Sequence, residues 1–143
     1  MNIERLLRLH EGFVSAAYKD SRGYWTIGIG RLIDARKGGG ITEDEALYLL
    51  RNDLQHTTED LYTRMSWLHN LSEIRQAAVI DMAFNLGVAG LSEFKRMLSA
   101  LQDGDYERAA DEARRSQWAE QVGIRAEDID EMIRHNRWPE RLT

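Results

Sequence analysis

The sequence predicts an α+β fold, with a small antiparallel sheet near the N-terminus and a larger helical part behind it. Three observations carry this expectation. Residues 15–33 mix aromatic and β-branched side chains with glycine, among them Tyr18, Tyr24, Trp25, Thr26, Ile27 and Ile29, as short paired strands do. Thr42-Glu43-Asp44-Glu45 precedes leucines at helical spacing, and from Ser72 onward apolar segments of helical length alternate with glycine-bearing breaks. A chain of 143 residues can bury one or two small cores but not two large domains, so a single domain over 1–143 is expected.

Taken in order, Ile3, Leu6, Leu7 and Leu9 form an apolar stripe for a helix ending before Gly12, which leaves Glu11 at its C-terminal end. The segment 15–33 follows as a hairpin or meander, with Asp20-Ser21-Arg22-Gly23 as its turn and Asp20 at a strand end facing Glu11. Arg36-Lys37-Gly38-Gly39-Gly40 is the one low-complexity stretch and reads as a loop. Thr42 and Glu45 have the spacing of a capping box, and the helix they start is expected to reach about residue 64. Its length makes it a connector between a small N-terminal lobe, about 12–60, and a helical lobe, about 61–143 joined by helix 1–11, with a cleft between the lobes. Residues 72–86 are apolar almost all round, which suits the middle of a bundle. Further helices are expected at about 92–101, 105–115 and 126–135, with Asp103-Gly104 parting the first two.

Bulk composition narrows the function classes. Hydrophobic content of 43% and charged content of 30% are ordinary for a globular protein, and no apolar run approaches the roughly 18 residues of a membrane span. Residues 1–9 alternate charge and leucine and do not read as a signal peptide. With no cysteine, neither a disulfide framework nor a thiolate metal site is expected. A formal charge of −5 argues against nucleic acid as a partner, since phosphate binding normally uses a basic face. The four histidines form no pair at metal-ligand spacing, and Gly28-Ile29-Gly30 lacks the third glycine of a dinucleotide fingerprint; no cofactor is expected.

The chemistry-bearing residues are Glu11, Asp20 and Thr26. A carboxyl at the end of an amphipathic helix can keep its proton among apolar neighbours, while a second on a polar turn stays ionised. Splitting an acetal needs that pair, a proton for the leaving oxygen and a base on the opposite side of the ring. Taken alone, Glu11 reads equally as a solvated helix-terminal charge, Asp20 as a turn former and Thr26 as an ordinary strand residue.

The same residues carry a resemblance. Glu11, Asp20, Thr26 and the run from Tyr24 to Gly30 resemble the catalytic segment of the phage-type lysozymes, glycoside hydrolase family 24. Arg75-Gln76-Ala77-Ala78, Phe84-Asn85-Leu86-Gly87, Arg96-Met97-Leu98, Glu107-Arg108-Ala109-Ala110, Ser116-Gln117-Trp118 and Arg125-Ala126 resemble further family motifs in family order. The resemblance implies a lysozyme-like fold and a muramidase cleaving the β-1,4 link between N-acetylmuramic acid and N-acetylglucosamine in bacterial peptidoglycan, with inversion, for host cell lysis. It implies Glu11 as general acid, Asp20 as the base that directs water with Thr26, and Arg125 and Gly30 as supporting residues, Arg125 through an ion pair with Glu11. Leu32, Phe84, Met97 and Glu112 occupy its substrate-contacting positions. It further implies a monomer that accumulates in the host cytoplasm and depends on a holin to reach the wall.

Departures from the family pattern leave alternatives open. Arginine stands at position 31 where the family has histidine, so a different ion pair is expected, with Asp34 or an acid of the helical lobe. Met97 and Glu112 stand where serine and asparagine are usual, and the loop around 36–40 is short. Trp118 and Trp138 are expected in the core or at the closure of the lobes. A lytic transglycosylase or chitosanase on a related fold is one rival, although a transglycosylase needs no water-activating base. A non-catalytic wall-binding homologue is the other.

Overall fold

The computed structural model describes residues 2–19, 21–28, 31–33 and 40–143, with the backbone alone at Ile3 and Glu11. The chain divides into two compact units, Met1–Leu50 and Arg51–Thr143. The division falls inside a helix; the lobe boundary expected near residue 60 lies further along that same helix.

In the first unit, helix α1 spans Ile3–Glu11. The Asn2 side chain caps it by accepting from the Arg5 amide at 2.8 Å, which satisfies one of the orphan donors of its first turn. Gly12, at φ 72°, ends it, its amide donating to the Arg8 carbonyl at 2.9 Å. Three antiparallel strands follow in the order β1-β2-β3: β1 at Val14–Lys19, β2 at Trp25–Gly28 and β3 at Arg31–Leu32. This is the expected meander. The register of β1 on β2 shifts between Val14 and Tyr18, the mark of a bulge that bends the strand. Lys19 lies over the Trp25 ring at 5.3 Å, within cation–π range. The expected loop falls largely on residues 34–39, outside the described residues.

Helix α2, Glu43–Arg64, begins at the expected capping box. The Thr42 amide and hydroxyl donate to Glu45 Oε1, each at 3.0 Å, and the Glu45 amide donates back to Thr42 Oγ1 at 3.2 Å. Arg31 Nε donates to the other Glu45 oxygen at 3.0 Å. Among the described residues the partner of Arg31 is thus Glu45, near it because β3 and the first turn of α2 belong to the same unit; Asp34, one of the partners expected, lies outside the described residues. The Arg31 hydrogen bond, followed by those from Thr42, lowers the Glu45 pKa to about 2.

The second unit holds the hydrophobic core. Helix α3, Glu73–Ser92, buries Ala78, Val79, Met82, Ala83, Val88 and Leu91, as an all-round apolar segment must. Its backbone is non-helical at Gly87, φ 78° and ψ 155°, so the regular helix leaves its axis at the expected glycine and a second helical piece follows across the kink to Ser92. Helices α4, Lys95–Asp103, and α5, Tyr106–Arg114, are parted by Gly104, which caps α4 in the left-handed conformation. Helix α6, Gln117–Val122, was not expected, and α7 covers Ile124–His135. The α6 signal was Ser116, whose side chain accepts from the Ala119 amide, ahead of Trp118 and Val122 one turn apart. Arg134 of α7 binds Asp111 of α5 at 2.8 Å and Asp130 of its own helix at 2.9 Å, and also pairs with Glu107, tying α5 to α7 with a multiply bonded guanidinium. Arg75 adds a second tie, Nε donating to the Ile133 carbonyl at 2.7 Å while its guanidinium stacks over Tyr106 at 3.5 Å. Among the described residues no single helix is long and apolar enough to cross a membrane.

Two outcomes are expected from these elements. Gly87→Ala forces a side chain onto a positive-φ backbone and should destabilise the helical unit by about 1–3 kcal/mol, read as a lower midpoint in urea at unchanged slope. The Arg31–Glu45 contact lowers a carboxyl pKa in the folded state, so its contribution is present above the ordinary carboxylate value of 4.5 and fades as pH falls toward about 2. The contact therefore adds no pH dependence near neutrality. Arg31→His should lose the contact as the imidazole deprotonates near pH 6.5, giving a thermal midpoint that declines from about pH 6 to about pH 8, a decline absent from the parent.

Candidate active site

Thr26 is the candidate catalytic residue of the first unit whose side chain is described. It lies in the middle strand, paired with Tyr18 of β1 on one side and Leu32 of β3 on the other. Directly opposed residues of antiparallel strands place their side chains on one face, so Tyr18, Thr26 and Leu32 form a single row. Thr26 is 5% exposed, the one buried polar residue among those described, and its hydroxyl donates to the Tyr24 carbonyl at 3.2 Å. With its proton committed, the Thr26 oxygen is left to accept, as a side chain must to hold a water by one of its hydrogens. Tyr18 was not singled out beforehand; its place opposite Thr26 in the hairpin register would have indicated it.

Glu11 is the last residue of α1, as the apolar stripe predicted. Its side chain, and Asp20 and Gly30 altogether, lie outside the described residues. What is described is their frame: the helix that ends at Glu11, the end of β1 at Lys19, and the turn of Ser21 to Gly23 that leads into β2.

In the second unit the structure gathers a different set. Asp81, Phe84 and Asn85 recur at i, i+3 and i+4 on α3 and so share one face. Phe84 is 41% exposed, available to a ligand rather than consumed by the core. Asn85 accepts a hydrogen bond from Trp118 Nε1 at 2.9 Å; Trp118 is buried and meets Phe94 edge to face, centroids 6.2 Å apart. Trp118 is therefore a core residue, as expected, whereas Trp138 is half exposed. Arg125 of α7 donates from Nε to Asp81 Oδ1 at 2.8 Å and from Nη2 to the Asp81 carbonyl at 3.3 Å. Its described partner is thus Asp81, a residue the sequence reading had not marked.

Met97 and Glu112 line one open depression of about 460 Å³ together with Glu93, Lys95, Arg96, Arg115 and Ser116. Met97 is only 1% exposed and belongs to the core, so it forms the floor and brings no polar group. Glu112 lies 3.6 Å from the Arg115 guanidinium. The polar character of this depression therefore comes from charged side chains around it. Among the described residues no group of histidine and acidic side chains is arranged to hold a metal ion.

Comparison with known proteins bears on the same residues. The model of the phage lysozyme family matches residues 8–135, from the helix that carries Glu11 to the end of α7. The chain is 31% identical over 93% of its length to the pre-baseplate central spike protein Gp5 of Enterobacteria phage T4, of which it spans 28%. It is 29% identical over 92% of its length to a probable T4-type lysozyme 1 of Dictyostelium discoideum, spanning 93% of that protein. It is 30% identical over 75% of its length to an endolysin of Acyrthosiphon pisum secondary endosymbiont phage 1, spanning 71% of it. With the lysozyme-like α+β architecture and a family match across nearly all of its elements, the chain belongs to the phage lysozyme family of glycoside hydrolases.

Proposed function

We propose that this chain is an endolysin muramidase, hydrolysing the β-1,4 bond between N-acetylmuramic acid and N-acetylglucosamine in peptidoglycan, with inversion, during host cell lysis. The observation that carries the reading is Thr26, a buried hydroxyl whose proton is spent on the Tyr24 carbonyl, set six residues after Asp20. Its oxygen accepts one hydrogen of a water while Asp20 accepts the other, and the water oxygen attacks the anomeric carbon. Glu11 gives its proton to the leaving glycosidic oxygen as that bond breaks. Its position at the end of α1, the negative pole of the helix, favours a carboxyl that keeps its proton. A water between acid and base calls for carboxyls roughly 6.5–9.5 Å apart, against about 5 Å for a covalent intermediate. Leu32, Phe84, Met97 and Glu112 are proposed as substrate contacts, with Met97 acting through shape alone.

The same reading makes the protein a monomer that waits in the host cytoplasm until a holin opens the membrane. The relative named as an endolysin supports this role. Expression alone should leave cells intact, and co-expression of a pore-forming partner should lyse them; prompt lysis without the partner would exclude the export step.

The chemistry is tested on purified Gram-negative peptidoglycan. Glu11→Gln and Asp20→Asn should each lower the release of reducing ends by at least about 100-fold while leaving the thermal midpoint near that of the parent. Thr26→Ala should also lower it, since the water loses one of its two acceptors. NMR of the first product should show the α-anomer. Appearance of the β-anomer would overturn inversion, and 1,6-anhydro ends would replace hydrolysis by transglycosylation. Wall binding with no new ends would identify a binding module.

A further inference from the structure

The depression of about 460 Å³ floored by Met97 keeps its charges unspent. Glu112 of α5 is mostly covered, its side chain 19% exposed, yet its nearest cation, the Arg115 guanidinium, stands at 3.6 Å, too far for a hydrogen bond. Among the described residues no donor is bonded to this carboxylate, whose oxygens can accept several. A carboxylate drawn out of water without hydrogen bonds is costly, and the depression it lines is the route by which a ligand's donor reaches it. Lys95 and Arg96 are exposed at the start of α4, whose first turn carries no acid. Cations are disfavoured at that pole of a helix, and among the described residues neither side chain has a hydrogen-bond or ion-pair partner. Ser116 is already engaged, its hydroxyl donating to the Ala113 carbonyl at 2.7 Å and accepting from the Ala119 amide at 3.2 Å. The lining thus sets Lys95, Arg96 and Arg115 against Glu93 and Glu112, a positive surplus on a chain of formal charge −5.

We propose that this depression binds a peptide carrying free carboxylates and one free ammonium, with Glu112 taking the ammonium and Lys95 and Arg96 the carboxylates. The wall polymer supplies such a peptide in the stems on its muramic acid, where a diamino acid leaves an amino group free and carboxylates outnumber it. Surplus negative charge on the ligand matches the surplus positive charge of the lining, and the single covered acid selects for the ammonium. Neutral side chains at positions 97 and 112 would make no such distinction. This assignment rests on the muramidase reading for the source of the peptide; the contacts it invokes all lie within the helical unit.

The probe is the soluble tripeptide N-acetyl-L-alanyl-γ-D-glutamyl-meso-diaminopimelate, titrated into the full chain and followed by calorimetry and by amide chemical shifts. Two derivatives are titrated beside it, one acetylated at the free amine and one methylated at the carboxylates. The parent should bind the free peptide with shifts at residues 93, 95, 96 and 112, and acetylation of the amine should weaken binding about 10-fold. Glu112→Gln should bind the free and acetylated forms alike. Lys95→Ala combined with Arg96→Ala should weaken the free peptide by about 3- to 10-fold and abolish the preference for it over the methyl ester. The acetylated form on the parent carries the test if Glu112→Gln folds poorly. Absence of binding, equal affinity of the parent for the free and acetylated forms, or shifts confined to the other depression of this unit, around Gly123 and Ile124, would overturn the assignment. Hydrolysis by Glu11→Gln is followed separately: full activity there overturns the muramidase reading alone, whereas loss of peptide binding with hydrolysis intact removes this site alone.

Discussion

The helical unit depends on the burial of α3. Ala78, Val79, Met82 and Ala83 follow the spacing of one helix face and are almost wholly removed from water, and the small alanines among them let neighbouring helices come close. Once that face is committed to the core, the helix has no rotational freedom left: residues 81, 84 and 85 must turn the other way. The placement of Phe84 at the surface, and of Asp81 within reach of Arg125, is thus a consequence of core packing rather than of any local preference. A polar substitution at Met82 would leave an unpaired group in the core and loosen the outward row of residues 81, 84 and 85.

The first unit works on a different principle. Its described apolar side chains are none of them buried, so its order comes from directed bonds: the paired strands, the Asn2 cap, the reciprocal bonds of Thr42 and Glu45, and the Arg31 contact that draws β3 to α2. Each such bond adds little net, since it replaces one to water, but each is angularly specific. Such a frame fixes directions with little packing behind them. Thr26 fits this logic, since burying a hydroxyl in the middle strand is tolerated because its proton has a carbonyl to bond.

Much of this was legible because the decisive signals are local. A capping box, a stripe at helical spacing and a glycine after a helix are read within four or five residues, and α1, α2, α5 and α7 follow from them within a residue or two. The hairpin was equally plain from its aromatic and β-branched strands. What stayed hidden depends on distant pairing. The Arg31 partner is set by where β3 meets α2, fourteen residues on; the Asp81–Arg125 pair joins positions 44 residues apart. Gly87 reads as a helix end, and the backbone is non-helical there; what the sequence did not show is that a second helical piece follows at once, because Ala83 and Val88 on its two sides are drawn into one core. Helix α6 was missed because six residues hold too few apolar positions to show a period.

Met97 and Glu112 show how a substitution changes the kind of recognition a surface can offer. A serine or asparagine at those positions supplies neutral hydrogen bonds, which are short-ranged and sensitive to the orientation of a sugar or amide group. A buried thioether floor with Glu93, Lys95, Arg96, Glu112 and Arg115 around it offers charge instead, and charge acts over the Debye length of about 8 Å at physiological salt with far less angular selectivity. If this depression holds substrate, as proposed, recognition there shifts from the geometry of hydroxyls toward the placement of ionised groups on the ligand. Arg115 beside Glu112 limits that field without cancelling it, because the pair is open to solvent on the arginine side. The residues proposed for hydrolysis, Glu11, Asp20 and Thr26, lie elsewhere in the sequence, so in the proposed reading bond cleavage and selection of the polymer are free to vary separately.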